Sequence, residues 1–485
     1  MKNTSILYSV FLVVVIGFSG CTAEFEEINT DPNNPVTISP ALLLPNAIQI
    51  SVDRYWGHST RYQRLNIDAA MCWVQHLSRN IYINAEGDSY EIPLTVSSGT
   101  WNANYDALIN FESVLKLASP EGDFPNPNYV GVALTMKAFT FSYMADVFGP
   151  IPYSQALKGT AETPVNSPGY DAMEDIYAGL LNDLKLANEQ LSVEGPPIAG
   201  DILFNGDILR WKKFANSLRL KLANRQAAKK PVESKAVMAE LLNDPVTYPV
   251  FTGNNDFALL NHADVIGSRN KMFDVFSTRS DWNVSKTLVD KLLELGDDRI
   301  KVFAMPIPDG SYVGLPNGLT DAAAGTITAS TIGSKFISPT APSILMSYSE
   351  LLFVLAEAAY DGDIAGDAST YLENAIEASF DQHGVQMPPD YMSRIGSIDK
   401  ETILTQKWIA LFGQGIEAWT EYRRTGYPVM PAAHPNSNFS NNGILPTRIE
   451  YPTSEYSLNR TGLDQGIQLL GGEDNMTVEL WWVED

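Results

Sequence analysis

Histidine and cysteine are scarce in this sequence. The five histidines are scattered without the H-x-x-x-H spacing of a zinc site, so we expect no metal. They are His58, His76, His262, His383 and His434. The run Asp297-Asp298-Arg299 reads as a turn at a helix end, with calcium bound by oxygen ligands as the alternative.

Lysine and arginine are also few relative to the acidic residues. The chain of 485 residues has 33 lysines and arginines against 57 aspartates and glutamates, a net charge of −24. An acidic chain repels phosphate backbones, so nucleic acid is excluded as a partner. The same charge disfavours close approach to anionic lipid headgroups. The hydrophobic fraction of 45% is ordinary for a folded protein with a sizeable core.

Nucleotide-binding and hydrolase motifs are missing from the chain. The sequence has neither the phosphate-cradling G-x-x-x-x-G-K-[ST] nor the G-x-S-x-G nucleophile elbow. Acidic residues are plentiful and a glycosidase needs only two of them, but no pair stands out. A glycosidase therefore stays open on motifs alone, and we expect no cofactor.

Long apolar runs are confined to the N-terminus. Lys2 precedes the apolar segment Ile6–Phe18, which is too short for an ordinary spanning helix. Small residues then lead directly to Cys21, a pattern that resembles a bacterial lipobox and predicts a signal peptide over 1–20 and lipidation of Cys21. The alternative is a cleaved secretory peptide followed by a chance cysteine. No later run reaches eighteen apolar residues, so the chain is predicted to be anchored to a membrane without spanning it.

Residues 21–38 form an acidic segment rich in proline and asparagine, with little capacity to pack. It resembles the surface-export signal of outer-membrane lipoproteins from Bacteroidetes-type bacteria. With Cys21 lipidated, Cys72 has no partner for a disulfide. Cys72 lies in the apolar run Ala69–Val74 and is predicted to be a buried structural thiol.

Apolar residues beyond the tether recur at three- and four-residue spacing, which is typical of amphipathic helices. Consecutive helices form pairs of about the size of a tetratricopeptide repeat. We predict a mainly α fold, a single domain over 39–485. A helix-pair scaffold covers about 39–242 and 343–428, and a loop-rich lobe covers about 243–342 and 429–485. Predicted helices cover 39–56, 61–77, 101–117, 129–148, 168–191, 207–225, 232–242, 286–295, 344–360 and 368–383, with two more within 401–428. Glu479–Val483 is predicted to be a docking strand.

Four charged residues cluster in the stretch Glu401–Pro428. They are Glu417, Glu421, Arg423 and Arg424. One hypothesis is a catalytic carboxylate pair with cations. We favour a structural ion-pair cluster that locks helices together, because charges beside Trp and Tyr on a packed helix need partners there.

Aromatic residues in loops are the candidates for ligand binding. Sugars stack their apolar faces on aromatic rings, while their hydroxyls need polar side chains. Two segments offer both, 82–90 and 279–283, and the candidate residues are Tyr82, Asn84, Tyr90, Arg279, Asp281, Trp282 and Asn283. The structural alternatives are that Trp282 fills the gap between a loop and a helix, and that both tyrosines serve packing.

Several motifs together resemble one family. They are the lipobox with its tether (Cys21–Pro35), the helical segments Tyr143–Tyr153, Trp211–Arg225, Tyr348–Ala358 and Gln406–Pro428, and Tyr451–Asn459. In this combination the chain is similar to the SusD/RagB family of outer-membrane nutrient-binding lipoproteins, over essentially the whole mature sequence.

The resemblance implies a tetratricopeptide-like helical scaffold that carries a loop-rich ligand lobe, and no enzymatic activity. It also implies a lipid-anchored protein on the outer face of the outer membrane. Such a protein captures an oligosaccharide, or in some members a peptide, and delivers it to a SusC-like TonB-dependent transporter. The alternative is a surface-anchored glycoside hydrolase that uses an acidic pair. The matching motifs belong to the scaffold, so no ligand residue carries over from the family.

Overall fold

A computed structural model of the protein describes residues 38–57, 64–84, 86–159 and 164–484. Most of the longer elements are helices, which confirms the predicted mainly α class. The α-helices are α1 (Pro40–Trp56), α2 (Met71–Trp73), α3 (Leu94–Ala118), α4 (Pro127–Phe148), α5 (Met173–Gln190), α6 (Ile208–Arg225), α7 (Pro231–Asn243), α8 (Lys271–Phe276), α9 (Lys286–Leu295), α10 (Ile300–Phe303), α11 (Asp321–Ala324), α12 (Tyr348–Tyr360), α13 (Ala368–His383), α14 (Tyr391–Ile395), α15 (Lys400–Ala410), α16 (Gly415–Thr425), α17 (Thr453–Leu458) and α18 (Arg460–Leu469).

Helices that follow one another pack in pairs, in a tetratricopeptide-like arrangement. Helix α4 packs between α3 and α5, α6 follows against α5, and α12 packs against α13. Side chains at the boundaries explain where these helices start and stop. Ser39 accepts a hydrogen bond from the Ala41 amide at the start of α1, where Pro40 has no N–H group that would need an acceptor. At the C-terminal end of α13, Gly384 takes a left-handed conformation (φ +69°) that ends the helix.

Four short strands form two antiparallel ribbons. They are β1 (Leu77–Arg79), β2 (Ala258–Leu260), β3 (Trp282–Val284) and β4 (Ser343–Met346). Strand β1 pairs with β3, so that Arg79 lies opposite Trp282, and β2 pairs with β4. The first ribbon joins the two loop segments that the sequence singles out.

Three predicted helix starts are wrong. The helix predicted over 101–117 begins at Leu94, directly after Pro93. The helix predicted from Ile344 begins at Tyr348, because Ser343–Met346 pairs with β2 and Ser347 then caps the helix. The helix predicted from residue 168 begins at Met173, because the Asp171 amide donates to the Ile151 carbonyl (3.0 Å) and keeps that segment extended.

The predicted C-terminal strand is also wrong, since Glu479–Val483 contains no strand. The segment docks through its side chains. Trp482 is fully buried and donates from its indole nitrogen to Asp146 (3.0 Å). Glu484 follows and forms an ion pair with Arg424 (2.5 Å).

Buried charges link α6, α12, α15 and α16. Glu421 on α16 pairs with Lys407 (2.6 Å), Arg424 (2.8 Å) and Arg225 (3.1 Å). Glu417 pairs with Arg225 and with Lys221 (3.2 Å). The structural interpretation of this cluster is confirmed, because each carboxylate contacts cations inside the helical packing.

Arg423 and Asp297 also serve packing. The Arg423 guanidinium lies 3.5 Å from the centre of the Trp419 ring. Asp297 is buried against Arg299 (2.6 Å), which supports the interpretation of this run as a turn at a helix end. Cys72 is buried as predicted, and burial raises the pKa of its thiol well above the ordinary value.

None of the helices in the described ranges is both long and apolar enough to cross a membrane.

Candidate ligand-binding site

The β1–β3 ribbon brings the two candidate loop segments together. Beyond the last strand pair, the Asn80 amide donates to the Asp281 carbonyl (2.9 Å), and the Asn80 side chain donates to the Ser280 carbonyl (2.8 Å). An open cavity of about 430 Å³ lies where the segments leave the ribbon. Its lining includes Arg64, Arg79, Tyr82, Asn84, Glu86, Arg279 and Asp321. Three predicted site residues, Tyr82, Asn84 and Arg279, therefore meet at one cavity.

Tyr82 presents an aromatic ring at this cavity, with 56% of the residue exposed. Its backbone is left-handed (φ +56°), a conformation that is uncommon for a bulky residue. The Asp321 carboxylate supports it by accepting hydrogen bonds from the amides of Tyr82 (3.2 Å) and Ile83 (2.9 Å). The Arg279 guanidinium lies 5.5 Å from the ring centre, within cation–π range.

Arg279 and Asn84 are exposed polar residues beside Tyr82. Arg279 bonds to the Asp281 carboxylate through Nε (2.7 Å) and Nη2 (2.5 Å). That hydrogen bond raises the pKa of Arg279 above its ordinary value, so the side chain stays charged. The pairing also fixes the direction of the guanidinium, which leaves other N–H groups to donate to a ligand.

Two buried arginines form the inner wall of the cavity. Arg79 lies 3.4 Å from Asp68, 3.8 Å from Glu86 and 3.5 Å from Asp281. Arg64 pairs with Asp68 through Nε (3.0 Å). Burial lowers the pKa of Arg64, and the neighbouring charges of Arg79 and Arg279 add to the effect of burial.

Trp282 does not form the exposed platform that was predicted. It is 1% exposed and lies in the middle of packed side chains. The guanidinium groups of Arg79 and Arg64 lie 4.9 and 5.6 Å from its ring centre, and the Phe276 ring is 5.3 Å away. The alternative reading is correct, because Trp282 fills the space beneath the arginine wall.

Three other candidate residues are buried and bonded within the protein. Asn283 is 6% exposed and bonds to the Asn80 side chain (2.7 Å) and the Ala329 carbonyl (2.9 Å). Asp281 is 7% exposed and forms ion pairs with Arg79 and Arg279. Tyr90 is 7% exposed and stacks on Phe439 with a centroid distance of 4.2 Å, so its predicted binding surface is occupied by packing.

Sequence reasoning missed Arg64, Arg79, Glu86 and Asp321. Glu86 stands within the segment 82–90 that the sequence singled out, Arg79 lies just before it, and their charge was an available signal. Arg64 and Asp321 come from remote parts of the chain, and only the fold brings them to the cavity. In the described ranges, no group of three or more His, Cys, Asp or Glu side chains could hold a metal ion.

The cavity combines one exposed aromatic ring with many hydrogen-bonding groups. Both carboxylates in its lining are engaged, Glu86 with Arg79 and Asp321 with two backbone amides. A few fixed polar groups beside an apolar face are typical of sites that orient a small ligand. The arrangement is suited to binding and offers no free acidic pair.

Comparison with known proteins shows a shared fold. A chitin-binding protein of known structure is 28% identical, with a TM-score of 0.80 over 92% of this chain and 100% of its own. A chitin-binding SusD homologue from Flavobacterium johnsoniae is 23% identical, with a TM-score of 0.78 over 90% of this chain and 98% of its own. A SusD homologue from Bacteroides fragilis is 24% identical, with a TM-score of 0.77 over 92% of this chain and 100% of its own. No curated protein sequence matches the chain.

The family comparison covers most of the sequence. Residues 32–452 match the SusD-like family described as starch-binding and associating with the outer membrane. The matched residues include the helix pairs, the β1–β3 ribbon and the whole lining of the cavity. The chain therefore belongs to the SusD-like family of outer-membrane-associated proteins.

Proposed function

We propose that this protein captures a glycan at the cell surface and delivers it to a SusC-like TonB-dependent transporter. The observation that carries the proposal is the cavity where Tyr82, Asn84 and Arg279 meet. Membership of the SusD-like family and the chitin-binding relative support it.

The chemistry of the lining favours a sugar. The exposed Tyr82 ring offers a face for the C–H groups of a pyranose, and stacking there needs no charge on the ligand. Arg279 donates hydrogen bonds to hydroxyl or acetamido oxygens, and Asn84 both donates and accepts. Because the relative binds chitin and the family is described as starch-binding, chito- and malto-oligosaccharides are the first ligands to test.

Peptide and hydrolase readings have less support from this geometry. We expect a peptide site to be enclosed and polar, whereas this cavity is open and carries an exposed ring. A glycoside hydrolase needs two carboxylates placed across the scissile bond. Glu86 and Asp321 are already held by protein partners, so we propose binding without catalysis.

The proposed location rests on the N-terminal segment. Lipidation of Cys21 would anchor the protein to the outer membrane, facing the exterior, with residues 22–38 as tether. Cys21 lies outside the described residues. The family's association with the outer membrane supports this location and the transporter partner.

Calorimetry on the soluble protein from Thr22 onward tests the proposal. Titrations with chitohexaose and maltohexaose are repeated with Tyr82→Ala. We expect one of the two glycans to bind the unmodified protein, and the variant to weaken that binding by about tenfold or more, as truncation of an aromatic anchor does. Tyr360→Ala is the matched control, because Tyr360 is 45% exposed at the end of α12 and lines no part of the cavity.

Two results would count against the proposal. Unchanged glycan affinity in Tyr82→Ala would remove the cavity as the site. An equal loss in Tyr360→Ala would show that the effect does not come from the cavity.

A further inference from the structure

A second, apolar pocket of about 140 Å³ shares no lining residue with the cavity at Tyr82. It is formed by the β2–β4 ribbon, the last residues of α13 and the loop 335–342. Its described lining residues are Trp56, Phe257, Leu259, Lys335, Phe336, Ala341, Pro342, Ile344, Gln382 and His383. Three aromatic rings and several aliphatic groups give it an apolar interior.

His383 brings a polar atom to this apolar pocket. The residue is 7% exposed, and its Nε2 is buried with no hydrogen-bond partner in the described protein. Burial, together with the charges of Arg299 and Lys335, lowers the pKa of His383 to about 3, so the ring is neutral at physiological pH. An unpaired buried nitrogen costs free energy, and a ligand with a polar group could satisfy it.

Lys335 adds a positive charge at the exposed edge of the pocket. Its ammonium donates to the His383 carbonyl (2.8 Å) and has further N–H groups to offer. Burial lowers the pKa of Lys335 and no carboxylate opposes that effect. Among the described lining residues there is no acidic side chain, although the chain as a whole carries a charge of −24.

We propose that this pocket binds a compact apolar group that carries a carboxylate. The apolar part enters between Trp56, Phe257 and Phe336, and the carboxylate lies at the edge beside Lys335 and His383 Nε2. A cavity of about 150 Å³ lined by apolar side chains accepts one benzene-sized molecule, so a single ring or a leucine-sized group fits. Two sources carry this chemistry, a free aromatic acid and the C-terminal residue of a peptide.

Calorimetry on the soluble protein from Thr22 onward tests the site with matched probes. Benzoate and its uncharged amide, benzamide, test the free acid. The peptide Gly-Gly-Phe with a free or an amidated C-terminus tests the peptide source. We expect at least one charged probe to bind, and its uncharged counterpart to bind about tenfold more weakly, because a charge-assisted hydrogen bond is roughly twice as strong as a neutral one.

Variants locate the binding. Lys335→Gln is expected to reduce the affinity of the charged probe about tenfold and to leave the uncharged probe unchanged. Lys301→Gln is the control, because Lys301 is an exposed lysine on α10 that lines no part of this pocket. Leu259→Trp fills the pocket from β2 and is expected to abolish the binding of both probes. Thermal denaturation checks that the variant is folded.

The outcomes separate the sources and can overturn the proposal. Binding of benzoate alone assigns a free acid, and binding of the free peptide alone assigns a C-terminal residue. If neither charged probe binds, the proposal of a binding site in this pocket is overturned. Equal binding of charged and uncharged probes, or an unchanged affinity in Lys335→Gln, overturns the carboxylate assignment.

Discussion

At the scale of single residues, Tyr82 depends on a carboxylate from a distant part of the chain. Its left-handed backbone (φ +56°) costs about 1 kcal/mol or more for a bulky residue. The two oxygens of Asp321 accept hydrogen bonds from the amides of Tyr82 and Ile83, and so hold the loop in this conformation. Asp321 is therefore a positioning residue for the proposed aromatic platform.

Asp321→Ala should weaken glycan binding although Tyr82 remains. Without the carboxylate the loop relaxes, and we expect the affinity to fall about tenfold, the equivalent of about 1.4 kcal/mol. Calorimetry with the glycan that binds the unmodified protein measures the loss. The control is Asp309→Ala, because Asp309 is an exposed loop aspartate that bonds to its own loop at Ser311 (2.9 Å). An unchanged affinity in Asp321→Ala would show that the loop keeps its shape without the carboxylate.

At three candidate positions the structure shows exposed side chains, and their role in binding stays a prediction. Tyr82, Asn84 and Arg279 stand in polar loops and are exposed. Trp282 stands in an equally polar run, yet β3 turns its side chain under Arg79. Nothing in the local sequence distinguishes these two cases, because the burial of Trp282 depends on pairing with a strand about 200 residues earlier.

At the scale of elements, helix α16 is held by charge as well as by apolar contacts. Glu421 is 6% exposed and meets three cations from α6, α15 and its own helix. Burial would raise the pKa of Glu421, but the charges of Arg424, Lys407 and Arg225 outweigh it and hold the pKa well below its ordinary value. Removing one partner from such a network leaves other charges buried without compensation.

Glu421→Gln should destabilise the protein by about 3 kcal/mol at pH 7. A carboxyl whose pKa is lowered by folding stabilises the fold at pH values above its ordinary pKa, and this contribution is lost as the pH falls toward the folded value. The difference between variant and unmodified protein should therefore shrink below about pH 4.5. Urea unfolding at pH 7 and at pH 4 measures it.

Glu401→Gln provides the comparison for this prediction. Glu401 is exposed in the first turn of α15, and exposed substitutions of this kind change stability by less than about 0.5 kcal/mol. A Glu421→Gln variant as stable as Glu401→Gln at pH 7 would contradict the account of the network.

Helices were predictable as elements because their apolar spacing and caps are local. Ser285 and Gly296 bound α9 as the sequence predicts. One error lies where a short strand precedes a helix, at Ser343–Met346. Such strands form only through a partner far along the chain, so periodicity within the segment cannot reveal them.

At the scale of the whole molecule, the candidate site lies between the two regions that the sequence separates. Strand β1 belongs to the predicted scaffold and β3 to the predicted loop-rich lobe, and their pairing creates the cavity. The exact limits of scaffold and lobe stay a prediction. The resemblance to SusD proteins identified the family, whereas the residues of the cavity came from loop chemistry and from the fold.

The central claim is that this cavity holds the glycan, and a crystal structure of the protein with a bound chito- or malto-oligosaccharide tests it most directly. We predict a sugar ring on the exposed face of Tyr82, with its oxygens within hydrogen-bonding distance of Arg279 or Asn84. A glycan bound on another surface, with Tyr82 in contact only with solvent, would contradict the claim.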